Sequence, residues 1–200
     1  SGNPLKSPKS AWEWASGIFD LFLPGKRVFN RPQAGCKMKT GKMNYTAQIA
    51  KQLRDVHFGG NWTASNLKDA LADISWQQAT TKVYSFNTIA ALVYHMNYYV
   101  SAISKVLQGE PLDASDKYSF GHPPILSAGD WEQLQDKTWK DAENFAALIE
   151  QLPESRLGDE FPGNQYGNYY RNIHGAIEHI HYHLGQIVLI KKILLQADKS

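Results

Sequence analysis

The sequence predicts an all-α fold, and three observations carry that reading. Apolar residues recur at three- and four-residue spacing over four long stretches. No stretch alternates apolar with polar residues as a half-buried strand does, and no Asn-Gly pair marks a tight hairpin. Four main helices in one antiparallel arrangement are the economical way to bury such stripes against one another.

The first helix starts after Asn44, carries Ile49, Leu53 and Val56 on one face, and stops at Gly59-Gly60. A bent segment follows. Thr63 or Ser65 is expected to cap a short helix bearing Leu67, Ala70, Leu71 and Ile74, and Ser75-Trp76-Gln77-Gln78 reads as another helix start. Ser85 or Asn87 then opens a long run with Ile89, Leu92, Val93, Met96, Tyr99, Val100, Ile103 and Leu107 on one face, closed by Gly109 and Pro111. From Glu110 to Ser127 the chain is polar and proline-rich, so it is expected to be a long connection. A third main helix is predicted from Asp130 to Leu152, with Trp131, Leu134, Thr138, Phe145, Leu148 and Ile149 inward. After Pro153 and a loop from Gly158 to Gly167, the last helix is predicted from Tyr169 to Leu195.

The 200 residues are 42% hydrophobic and 20% charged, which suits one domain with a sizeable core. A single cysteine, Cys36, excludes a disulfide scaffold and a four-cysteine zinc site, and a reducing, cytoplasmic compartment suits it. Every apolar stretch is interrupted before the roughly 18 uncharged residues a membrane-spanning helix needs. Charge is divided unevenly. Residues 1–42 hold 8 basic and 2 acidic side chains, while residues 43–200 hold 13 basic and 17 acidic. An acidic body lacks the basic stripe that displaces counterions from phosphates, so neither a nucleic acid nor a membrane is an expected partner. The first 42 residues, with four prolines and one apolar island from Trp12 to Leu23, read as a basic, loosely ordered extension of upstream or processed origin. Glu13, Asp20 and Pro24 break the pattern of a secretory signal. Residues 43–200 form the expected domain.

The chemistry lies in the histidines. Four of the seven, His174, His179, His181 and His183, fall in the last helix. At about 100° per residue, His179 and His183 lie within roughly 40° of each other, beside Ala176, Ile187, Ile190 and Leu194, so these two face inward together. His174 and His181 fall on the far side. Imidazoles four apart on a helix are one turn above each other, the spacing at which both reach a single divalent ion. A catalytic metal usually takes three protein ligands and keeps open positions. His95, at the flank of the long helix's apolar face near Tyr99 and Thr88, is the candidate third ligand, and His57, beside the Gly-Gly bend, is the reserve. His122 in Gly-His-Pro-Pro reads as a loop residue.

Other metal and nucleophile motifs are missing. There is no His-Glu-x-x-His, and the one Glu-x-x-His, Glu178 to His181, lacks the second copy that a di-iron bundle needs. No Gly-x-Ser-x-Gly is present.

The segments Asn87-Thr88-Ile89-Ala90-Ala91-Leu92-Val93-Tyr94-His95 and His179-Ile180-His181-Tyr182-His183-Leu184-Gly185-Gln186-Ile187 resemble the DinB-like superfamily. Its pattern of one histidine in the second main helix and His-x-x-x-His-x-Gly-Gln in the last is matched by His95, His179, His183, Gly185 and Gln186, and Asn61-Trp62-Thr63 with Leu67 and Leu71 is similar too. The resemblance spans about residues 43–200. It implies an up-up-down-down four-helix bundle, often dimeric, with a three-histidine site for a divalent metal such as zinc or nickel. Several such proteins are S-transferases or isomerases that use a low-molecular-weight thiol, and others are described as metal-dependent hydrolases.

The expected function is therefore that of a cytoplasmic, homodimeric metal-dependent enzyme acting on a small molecule. His95, His179 and His183 are its ligands, and a thiol or water is the activated nucleophile. Gln186, one turn beyond His183, is placed to orient a ligand, with packing as its plainer role, and Gly185 is expected to permit close helix approach. Tyr94, Tyr98, Tyr99 and Tyr182 are candidate pocket residues whose plainer role is interhelical packing. The competing class is a non-catalytic helical module with a structural metal or none, used for dimerisation or small-molecule binding. A fourth protein ligand closing the metal shell would favour that class.

Overall fold

A computed structural model describes residues 44–163 and 165–197. The described residues all belong to one compact unit, residues 42–200. The readings of the basic extension and of Cys36 lie outside the described residues.

Each main helix begins where a side chain can satisfy an amide that has no partner inside the helix. Asn44 accepts from the Ala47 amide at the start of α1 (Tyr45–Phe58), and Gly59, at φ +107°, ends that helix in a conformation other residues rarely adopt. Two short helices follow, α2 (Leu67–Leu71) and α3 (Trp76–Thr80). The cap of α2 is Asn66 rather than Thr63 or Ser65, because its side chain is the one that accepts from the Asp69 amide. Ser75 and Gln78 form a reciprocal capping box on α3, as their spacing suggests. Thr88, not Ser85 or Asn87, caps α4 (Ile89–Leu107) by accepting from the Ala91 amide.

The connection from Glu110 to Ser127 contains one turn of helix, α5 (Asp116–Ser119), ahead of the prolines that forbid a longer one. Ser127 caps α6 (Ala128–Gln151), and a 3-10 turn at Glu154–Gly158 leads toward α7 (Tyr169–Ala197), where Asn168 accepts from the Arg171 amide. No strand occurs among the described residues, only an isolated bridge between Glu160 and Asn168.

The long helices pack in a ring: α1 and α4 each lie against both α6 and α7. Leu53, Val56, Ile89, Leu92, Met96, Phe145, Ile149, Ile173, Ile180 and Ile187 fill the space between them and are fully or almost fully buried. Burying each large aliphatic side chain stabilises the fold by about 1.5–3 kcal/mol. Polar ties fix the helices laterally. The Trp131 indole donates to the Ile74 carbonyl at 2.9 Å, Asn97 and Ser101 donate to Asp141 across α4 and α6, and Arg54 reaches both Glu143 and Glu150. No helix among the described residues is long and apolar enough to cross a membrane.

Candidate metal centre

His179 and His183 sit one turn apart on α7, on the side that packs against α4, and His95 comes from α4 to meet them. The His179 Nε2 atom lies 3.0 Å from His95 Nε2 and 2.9 Å from His183 Nε2. One ring nitrogen from each of the three histidines falls within 4.8 Å of the others. The pair that helical spacing brings together and the third residue that it only nominates thus meet at one point.

The outer nitrogens decide what the inner ones offer. Ser119 Oγ donates its proton to the Asp116 carbonyl, so it accepts from His95 Nδ1 at 2.9 Å. Gln186 Oε1 accepts from His183 Nδ1 at 2.7 Å. With Nδ1 protonated in both neutral rings, His95 and His183 each direct a bare Nε2 lone pair at His179. A single N–H on His179 can satisfy only one of them. Protonating a ring to satisfy the other is disfavoured. Burial holds all three pKa values down, aided at His95 by His183 and at His179 by His183 and His95, and His179 falls to about 4. Three neutral imidazoles whose lone pairs converge without enough protons between them form a donor set that fits a divalent cation.

The surroundings hold the rings in place. Phe120 stacks on His95 with centroids 3.8 Å apart and planes 8° from parallel. Tyr99 stands edge-on to both His95 and His179 and donates to Asp116. Burial, followed by that hydrogen bond, pushes the Tyr99 phenol up to about 12, so it stays protonated and keeps donating. His95 and His179 open onto a cleft of about 760 Å³ that runs along α7 toward its N-terminus.

The other histidines stay apart from the cluster. His57 is 2% exposed, donates from Nδ1 to the Leu53 carbonyl of its own helix, and is not part of the cluster. No fourth histidine, cysteine or carboxylate joins the three among the described residues. His181 bonds to the Ile177 carbonyl, His174 pairs with Glu178 and His122 bonds to Pro123, so all three stand outside the site. Gln186 bonds to His183, one of the three candidate ligands, in keeping with the ligand-orienting role its position suggests. A Cβ at Gly185 would meet nothing within 4 Å, so close helix approach is not the reason for that glycine. Of the four tyrosines only Tyr99 lines the cleft. Tyr98 accepts from the Ser115 amide, Tyr94 lies near His122 and Tyr182 packs on the His183 ring.

Asp116, Ser119 and Phe120 are the site residues that sequence reasoning missed. They lie in the Glu110 to Ser127 connection, where no periodicity operates, and nothing in their spacing ties them to His95.

A helical bundle with three convergent histidines beside an open cleft defines the class of this protein. The chain belongs to the DinB superfamily, whose sequence profile matches residues 60–187, a span that includes all three histidines, Gly185 and Gln186. Neither the comparison with curated proteins nor that with solved structures returned a match.

Proposed function

We propose that this protein is a divalent-metal-dependent enzyme in which His95, His179 and His183 hold the ion, zinc or nickel, and a thiol or water attacks a small-molecule substrate. The observation that carries this reading is the convergence of three Nε2 atoms, two of them fixed as lone-pair donors by Ser119 and Gln186, at the wall of a cleft. The ion, when bound, supplies Lewis acidity that lowers the pKa of a bound thiol or water. The chain's own residues do the rest. Ser119 and Gln186 set the tautomers, Phe120 covers one face of the His95 ring, and the Tyr99 phenol braces Asp116 on the cleft wall. Three protein ligands with no fourth among the described residues are the pattern of a site that exchanges ligands rather than one closed for structure. S-transfer from a low-molecular-weight thiol and hydrolysis differ here only in the nucleophile. The reading extends to a cytoplasmic homodimer with its four long helices running up-up-down-down.

Metal content by plasma mass spectrometry tests it, on wild type and His183→Ala purified identically without a metal-binding tag. Near-stoichiometric metal that disappears in the variant is expected, followed by a screen of thiol transfer and ester hydrolysis with zinc or nickel restored. Absence of metal from both proteins, even after reconstitution with zinc and nickel, would overturn the reading.

A further inference from the structure

The cleft that begins at His95 and His179 ends at an arginine that no carboxylate pairs among the described residues. Three arginines lie among those residues, and two are engaged: Arg54 with Glu143 and Glu150, Arg156 with Asp159. Arg171 lines the cleft and makes no ion pair there. Among the described residues it is also the cleft's one Lys or Arg. Its neighbour Asn172 is already occupied, donating to the Tyr166 and Asn168 carbonyls at 2.9 and 2.8 Å, and so braces the rim.

The floor between the two ends is open. Arg171, Gly175 and His179 follow one another at four-residue intervals on the same face of α7, so Arg171 stands about 12 Å along the helix from His179. Gly175 lies between them on the cleft wall, and a Cβ there would meet nothing within 4 Å. At the histidine end the charged groups on the wall are acidic, Asp116 and Glu178. The Arg171 guanidinium is the cationic side chain at the other end, and its planar fork matches a carboxylate.

We propose that the cleft takes an elongated small molecule with a terminal carboxylate, its anionic end on the Arg171 guanidinium and its reacting end at the three histidines. Gly175 keeps the path between them clear. This rests on the metal-dependent reading of the three histidines and names the substrate class of that site.

Isothermal titration calorimetry on the zinc-loaded full chain tests it with three thiols: mercaptooctanoate, its neutral counterpart mercaptooctanol, and mercaptoethanol, which is too short to reach Arg171. Wild type is expected to bind mercaptooctanoate at least about tenfold more tightly than mercaptooctanol, the scale of a charge-assisted pair. Arg171→Gln should equalise the two while leaving mercaptooctanol unchanged. Gly175→Leu, whose side chain enters open space, should weaken both long thiols and spare mercaptoethanol. Equal binding of the long thiols to wild type, or a carboxylate preference that survives in Arg171→Gln, overturns the proposal while mercaptoethanol binding leaves the metal reading standing. If zinc is present by mass spectrometry and no thiol binds, the thiol reading falls and the proposal with it. Samples that take up no zinc overturn the metal reading itself, and again the proposal with it.

Discussion

His57 on α1 and His179 on α7 are both held down to about pKa 4, in each case chiefly by burial, yet they stand in different chemical settings. His57 donates to the Leu53 carbonyl four residues back, so its own helix supplies its partner. His179 faces two other imidazoles from 3.0 and 2.9 Å, and its neighbours' protons are committed elsewhere. A depressed histidine pKa therefore does not by itself mark a site, since burial is the largest cause in both. What distinguishes a candidate site is convergence: donor atoms aimed at one point in a number that exceeds the protons available to pair them.

Substitutions can sharpen that contrast, beginning with the largest effect. His95→Ala and His179→Ala should each abolish stoichiometric metal, as His183→Ala should, whereas His57→Gln should keep it. Metal analysis of the four purified variants checks this, and retention of metal in any of the three cluster variants would show that the cluster does not act as a unit.

His57 should instead reveal itself through acid stability. Its folded-state pKa of about 4 lies below the ordinary 6.5, so the unfolded chain takes up a proton first as pH falls. The contribution is nil above about pH 7 and destabilises progressively through the window from 6.5 to 4, reaching about 3 kcal/mol for a shift of that size. Denaturant titrations at several pH values should give His57→Gln a shallower loss than wild type, and parallel curves would refute the assignment.

The residues behind the rings come next. Ser119→Ala and Gln186→Ala each release one ring's tautomer and should weaken metal affinity about 10–100-fold without abolishing it, as measured by chelator competition. Unchanged affinity would mean that the rings are held by packing alone, Phe120 and Tyr99 being sufficient. The smallest effect is expected at Gly185, which is exposed in mid-helix with open space beside it. Gly185→Ala should stabilise the fold by up to about 1 kcal/mol, seen as a higher denaturation midpoint with metal content unchanged.

Much of the helix pattern is legible locally. The stripe of Ile89, Leu92, Val93 and Met96 and the pairing of His179 with His183 need nothing beyond helical geometry, because residues three and four apart share a face whatever else the chain does. Start residues are less legible, since several Ser, Thr and Asn side chains compete near each helix end. Asn66 and Thr88 prevail as caps because theirs are the side chains that accept from an amide of the first turn. Gly185 is misread for a related reason: a glycine in a helix does not reveal whether a neighbour or solvent occupies the space beside it.

By itself, then, the sequence determined the helical segments, the inward pair His179 and His183, and the nomination of His95 over the other histidines. Those rest on interactions that reach no further than one helical turn and on a motif carried by a few residues. Only the tertiary structure decided that His95 meets His179 across 84 residues, that Ser119 reaches back 24 residues to fix the His95 tautomer, and that Arg171 stands at the far end of the same cleft. Such outcomes depend on which helices lie side by side and on how a proline-rich connection folds over them. Both are settled by packing of the whole core, to which no short stretch of sequence has access.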